Sequence, residues 1–199
     1  MYNERGPKEV SMKEEFYNAL EEYPVVMAIK DYAGLEIALQ TESKVVFILF
    51  GNITDIASIV KKVKQKNKIA IVHVDLIEGL GSKEIAAKFI KYNTQADGII
   101  SIKANIISAA KELGLITVQR FFLIDSMSLK NVIKYIEAGH ADTYEVLPGG
   151  MYKIIKKLAA ISNVPLIAGG LISDKEDVIA ALSAGATAVS STDTSIWNL

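Results

Sequence analysis

At 199 residues, half of them hydrophobic, the chain can bury one substantial core, and the expectation is a single domain over residues 1–199. A net charge of −1 offers polyanions no global attraction, so any nucleic-acid contact must come from a local patch. The lack of cysteine excludes disulfides and thiolate chemistry. With no apolar run of about 18 residues and no signal-peptide core, a cytoplasmic protein without a membrane partner is expected.

Residues 1–23 read as a polar leader and an N-terminal helix, Met12 to Glu22, which Pro24 ends. Eight short apolar runs follow: Val25–Ile29, Val45–Phe50, Ile69–Val74, Gly98–Ser101, Ile116–Gln119, Thr143–Leu147, Leu166–Ala168 and Ala188–Ser190. The segments between them have helical spacing. Ile56, Ile59, Val60 and Val63 share a face, as do Leu129, Val132, Ile133 and Ile136, or Val178, Ile179 and Leu182. Thr54, Ser82 and the box Ser173-x-x-Glu176 supply expected N-caps. Gly114, Gly139 and Gly185 each stand between a helix and the next strand, where a left-handed C′ residue belongs. The lysines at 61, 62, 64, 66 and 68 scatter around a helix rather than forming one stripe and read as a solvated face; Lys153, Lys156 and Lys157 read as ordinary amphipathicity.

Strands that are apolar throughout belong in a parallel sheet buried on both faces. Eight of them, with polar residues at nearly every C-terminal end, predict a compact (β/α)8 TIM-like barrel rather than an open doubly wound sheet. Such a barrel typically takes about 250 residues. Loops must therefore be short and the final helix short or missing, leaving a flank for the N-terminal helix or a second subunit to cover, as in a homo-oligomer.

Function in barrels sits at the C-terminal strand ends. Here those ends carry Lys30, Asp31, Gly51, Asn52, His73, Asp75, Glu78, Ser101, Lys103, Gln119, Arg120, Glu145 and Gly149. The last two strands run out in Gly169-Gly170 and Ser190-Ser191, small residues whose backbone can approach a phosphoryl group closely. Arg120 is one of two arginines, the other being Arg5 in the leader; its planar fork suits a phosphate, and an ion pair with Glu145 or Asp75 is compatible with that role. Lys103 can pair with the phosphate or with a carboxylate. His73 and Asp75, two apart on a strand, are expected on the same side of the barrel mouth.

Several segments resemble the glycerol-3-phosphate-responsive antiterminator proteins of bacterial glycerol operons. They are His73-Val-Asp-Leu-Ile77, Asp97-Gly-Ile-Ile-Ser101, Gln119-Arg-Phe-Phe-Leu-Ile-Asp-Ser126, Glu145-Val-Leu-Pro-Gly149, Ile167-Ala-Gly-Gly-Leu-Ile172 and Ala188-Val-Ser-Ser191. The Gly-Gly and Ser-Ser pieces are shared by many phosphate-binding barrels, whereas Gln-Arg-Phe-Phe-Leu with Glu-Val-Leu-Pro-Gly in one chain is far more specific. The resemblance implies a regulator without turnover that senses glycerol 3-phosphate, binds the leader of a target messenger RNA and prevents termination, with no cofactor. Rim position would then give the phosphate to Arg120, Lys103 and the backbone at Gly169, Gly170, Ser190 and Ser191, with Gly149 in the same mouth. Asp75 and Glu145 would accept hydrogen bonds from the glycerol hydroxyls.

Two enzymatic readings stay open. In one, Asp75, Glu78 and Glu145 hold a divalent cation and His73 acts as acid or base, for hydrolysis of glycerophosphodiesters. The other is a phosphosugar isomerase or aldolase with Lys103 or Glu145 in the chemistry.

Overall fold

The computed structural model describes residues 11–199; Arg5 and the rest of the leader lie outside the described residues. The eight apolar runs become strands β1 (Val25–Ile29), β2 (Val45–Ile48), β3 (Ile69–His73), β4 (Gly98–Ser101), β5 (Ile116–Phe122), β6 (Thr143–Leu147), β7 (Leu166–Gly169) and β8 (Ala188–Ser191). All pair in parallel, each with its chain neighbours, and β8 closes on β1 with Val26 beside Ser190. That pairing makes a closed barrel and excludes the open sheet.

Helix α1 (Met12–Glu22) precedes β1. Seven more alternate with the strands: α2 (Tyr32–Ala38), α3 (Ile56–Lys64), α4 (Ile85–Asn93), α5 (Ala104–Glu112), α6 (Ser126–Glu137), α7 (Tyr152–Ala159) and α8 (Lys175–Ser183). All four expected core residues of α3 are fully buried, whereas Ile179 of α8 is 53% exposed. The glycines after α5, α6 and α8 all have positive φ, as their C′ position predicts.

The caps differ from expectation. Asp55, not Thr54, is the N-cap of α3, and it caps without a side-chain bond; Asn52 holds the Thr54 N–H instead. Helix α4 starts at Ile85 behind Glu84, beyond Ser82. Asp174, not Ser173, accepts from the Asp177 N–H at the head of α8. Each loop carries several adjacent capping side chains, and loop geometry selects among them.

Strand alternation sorts the core into two parts. One set of side chains faces the surrounding helices; the other, with Val26, Phe47, Ile71, Ile100, Val118 and Ile167, fills the barrel. Phe16 and Leu20 of α1 join this inner cluster from below, so the N-terminal helix closes the floor of the barrel rather than covering a flank. After β8 the chain makes one 3-10 turn (Thr194–Ile196) in place of a final helix. Trp197 then packs near Gly34 of α2, over the β8–β1 seam, its indole N–H donating to the Ser191 carbonyl at 2.9 Å. No helix among the described residues is long and apolar enough to cross a membrane.

Candidate functional site

Strands β5 and β6 pair with Arg120 beside Glu145, both on inward-facing positions at the top of the barrel. Arg120 Nε donates to Glu145 Oε2 at 2.5 Å, and Ser190 Oγ donates to Oε1 at 2.5 Å. Glu145 is completely buried, so both oxygens need these partners. Gly169 leaves the space that this carboxylate fills: a Cβ there would lie 2.5 Å from Ser190 Oγ and 2.7 Å from Glu145 Oε1. The guanidinium is thus held from one side through Nε. Its two Nη nitrogens donate to no group among the described residues, and Arg120 lines a cavity of about 130 Å³ with Leu147, Gly170, Leu171 and Thr192.

The loop after β7 shapes the same cavity. Gly170 (φ +70°) and Leu171 (φ +57°) are two successive left-handed residues. For a leucine this conformation costs about 1–2 kcal/mol, and the side chain, 82% exposed, recovers nothing by burial. Gly149 steadies the turn by donating its N–H to the Gly170 carbonyl at 2.9 Å. The N–H groups of Leu171, Ile172 and Thr192, all cavity residues, donate to no acceptor among the described residues. Unpaired N–H groups beside a fixed guanidinium make an anion site, and the paired N–H···O and fork geometry suits a phosphoryl group.

A second polar group adjoins Arg120. Strand β3 stops at His73, and a 3-10 turn (Val74–Leu76) carries Asp75, whose Oδ2 accepts from Ser101 Oγ and the Ile102 N–H, each at 2.9 Å. His73 Nδ1 lies 3.7 Å from Asp75 Oδ2, and Lys103 Nζ lies 3.6 Å from Oδ1. Burial first, and the Arg120 cation second, push the His73 imidazole down to about 4 despite the Asp75 carboxylate, so it is neutral at pH 7.

The description "glycerol-3-phosphate responsive antiterminator" belongs to the family model that matches residues 25–197, the whole barrel. The chain belongs to this family. Its relatives include the Escherichia coli (strain K12) protein YgcP, 43% identical over 180 residues that make up 90% of this chain and 94% of YgcP. The glycerol uptake operon antiterminator regulatory protein of Listeria monocytogenes matches in structure with a TM-score of 0.83 and 29% identity, over 87% of this chain and 94% of its own. A glycerol uptake operon antiterminator-related protein of Thermotoga maritima gives 0.78 and 32% identity, over 88% and 98%.

Within the family's barrel, the residues expected at the rim divide. Arg120, Glu145, Gly170, Ser190 and Ser191 line the cavity. Gly169 backs it by making room for Glu145, and Gly149 supports its loop. Lys103 pairs with Asp75 rather than facing the cavity floor. The first of three details differs from the rim reading, which gave Glu145 to the glycerol hydroxyls; the other two leave the backbone of Ser190 and Ser191 as the part that can meet a phosphate. Both Glu145 oxygens are taken by Arg120 and Ser190; the Ser190 hydroxyl is spent on that carboxylate; and the Ser191 hydroxyl turns away to the Ile172 carbonyl at 2.7 Å. Gln119 also faces outward, bonded to His140. Glu78 is exposed on the segment after β3, and no group of three His, Cys, Asp or Glu able to hold a metal occurs among the described residues. Lys68, expected on a solvated face, is buried with its ammonium on the carbonyls of Thr41 and Ser43. The left-handed Leu171 and the cavity residues Ile172 and Thr192 were not anticipated as site residues; the Gly-Gly-Leu-Ile run is the signal that contained two of them.

Proposed function

We propose that the protein is a ligand-gated regulator: it binds glycerol 3-phosphate at the C-terminal mouth of the barrel and, in that state, the leader of a glycerol-operon messenger RNA, preventing termination. The observation that carries the reading is the Arg120 guanidinium fixed by Glu145, with its Nη groups and the N–H groups of Leu171, Ile172 and Thr192 left for a phosphoryl oxyanion. The backbone at Gly169, Gly170, Ser190 and Ser191 flanks that phosphate, Gly149 supports its loop, and the polyol end lies toward Asp75 and Lys103. Glu145 acts by orienting Arg120. The ligand can favour an RNA-competent state only by binding that state more tightly.

Titration calorimetry tests the sensor half, with glycerol 3-phosphate against glycerol and inorganic phosphate. Saturable binding that needs both halves of the ligand, and is lost in Arg120→Ala, is expected; absence of binding overturns the reading. The regulatory half is tested by leader-RNA binding with and without saturating ligand, across a salt series. RNA affinity that rises with ligand and falls steeply with salt is expected. Affinity indifferent to the ligand would refute gating.

A further inference from the structure

Two buried polar atoms among the described residues have no hydrogen-bond partner, and they adjoin one another: His73 Nδ1 and Asp75 Oδ1. Buried polar atoms in native proteins are almost always partnered. The His73 residue is 3% exposed and the Asp75 side chain 10%, so solvent is not the ready partner it would be at a surface. Lys103 Nζ makes an ion pair with Oδ1 at 3.6 Å, beyond hydrogen-bond reach, and the remaining polar groups of the neighbourhood are committed. Asp75 Oδ2 takes Ser101 and Ile102, and Glu145 takes Arg120 and Ser190. His73 at the end of β3 and Arg120 on β5 both take inward-facing positions, so the pair stands in the same barrel mouth as the phosphoryl cavity, beside its lining.

The chemistry of a shared partner is narrow. It must donate to a carboxylate oxygen and meet a neutral imidazole nitrogen. A carboxylate or second phosphoryl group would set its charge against Asp75 and has no proton to give. A cation would stand beside Lys103 and Arg120. A hydroxyl meets both demands: its O–H donates to Asp75 Oδ1 and its oxygen accepts from His73 Nδ1–H, which fixes the tautomer. We infer that His73 and Asp75 form a hydroxyl-recognition subsite beside the cavity in the same barrel mouth, making His73 a specificity-determining residue that selects a phosphorylated polyol over an alkyl phosphate or a phosphorylated acid. This rests on the phosphate reading of the cavity. It adds a rule of rejection, because a ligand without the hydroxyl leaves both atoms unpaired and an acid meets repulsion.

The chain has two histidines, so the imidazole nitrogens of the unmodified protein can be followed individually by long-range proton–nitrogen NMR, with His140→Gln assigning the signals. Glycerol 3-phosphate, n-propyl phosphate, 3-phosphoglycerate and inorganic phosphate are compared, each titrated calorimetrically in parallel. Glycerol 3-phosphate is expected to move His73 Nδ1 to a protonated, hydrogen-bonded position while bound propyl phosphate does not, with His140 unmoved by either. Glycerol 3-phosphate should also bind at least tenfold tighter than propyl phosphate or 3-phosphoglycerate, and His73→Gln should shrink the preference over propyl phosphate to about threefold or less without changing affinity for inorganic phosphate. Equal movement of His73 with propyl phosphate, equal weakening of both esters in His73→Gln, or tight binding of 3-phosphoglycerate would overturn the subsite while leaving the phosphate reading intact. If no phosphate compound binds, both fall.

Discussion

The two ends of this barrel are built to opposite rules. At the floor every buried polar side chain among the described residues is answered. Asp142 accepts from Lys13 Nζ at 2.8 Å, from Thr117 Oγ1 at 2.7 Å and from the Thr117 N–H at 3.1 Å. Its backbone carbonyl takes the Tyr17 hydroxyl at 2.6 Å. Lys68 is spent on two carbonyls, and Phe16 and Leu20 seal the remaining space. At the mouth the accounting is left open among the described residues: two buried atoms without a hydrogen bond, three loop N–H groups and two Nη nitrogens unassigned, and a leucine held left-handed. A fold that satisfies one end completely can afford an unsatisfied other end, which is where barrels bind ligands.

The contrast breaks most visibly at the floor. Phe16→Ala removes a fully buried aromatic ring and should cost about 4 kcal/mol in a denaturant titration, with glycerol 3-phosphate affinity changed by less than about twofold. A matching loss of affinity would mean that floor and mouth are one cooperative unit. Acid probes the mouth next. His73 titrates near 4 in the fold and near 6.5 when unfolded, so below about 6.5 the unfolded chain takes up the extra proton first. Stability contributed by the neutral imidazole is therefore complete above about 6.5 and falls as pH drops toward 4, by about 2 kcal/mol at about pH 5. Urea titrations of the wild type and His73→Gln at about pH 7 and about pH 5 isolate it, because the contributions of carboxylates remote from His73 cancel in the difference; identical pH slopes would refute it.

An effect of similar size sharpens the mouth itself. Arg120→Lys keeps the charge but loses the fork that Glu145 orients, and should weaken glycerol 3-phosphate binding by about 30-fold, or about 2 kcal/mol. Retention of full affinity would show that charge alone suffices. Leu171→Asn is the smallest change. Asparagine tolerates the left-handed region, and the exposed leucine buries little, so thermal denaturation should show a gain of about 0.5–1 kcal/mol. A loss would mean that the leucine makes a contact worth more than its strain.

Much of this architecture was legible in the chain. Val25–Ile29, Gly98–Ser101 and Thr143–Leu147 are strands to the residue, and Pro24 and Pro148 mark two of their ends. Helix ends followed from glycine, whose backbone preference is local; helix starts did not, because Asn52 takes the Thr54 N–H and Asp55 takes the Asn52 N–H, bonds within the loop that leave the first turn of α3 without a side-chain cap. In the site, alternation alone separates Ser190, inward on Glu145, from Ser191, outward on Ile172. What alternation cannot supply is register between strands 25 residues apart, and register is what sets Arg120 beside Glu145. The left-handed turn at Leu171 was illegible for a different reason: leucine has no local preference for it, so its conformation comes from the surrounding loop.

The turn after β8 carries an optical reporter. Trp197 is the sole tryptophan, buried on the seam with its indole tied to the carbonyl of Ser191, one residue before Thr192 of the cavity wall. Whatever shifts the end of β8 changes the polarity and hydrogen bonding around one fluorophore, with no second indole to dilute the signal. Occupancy of the mouth therefore has a natural readout in emission wavelength, requiring neither label nor substitution.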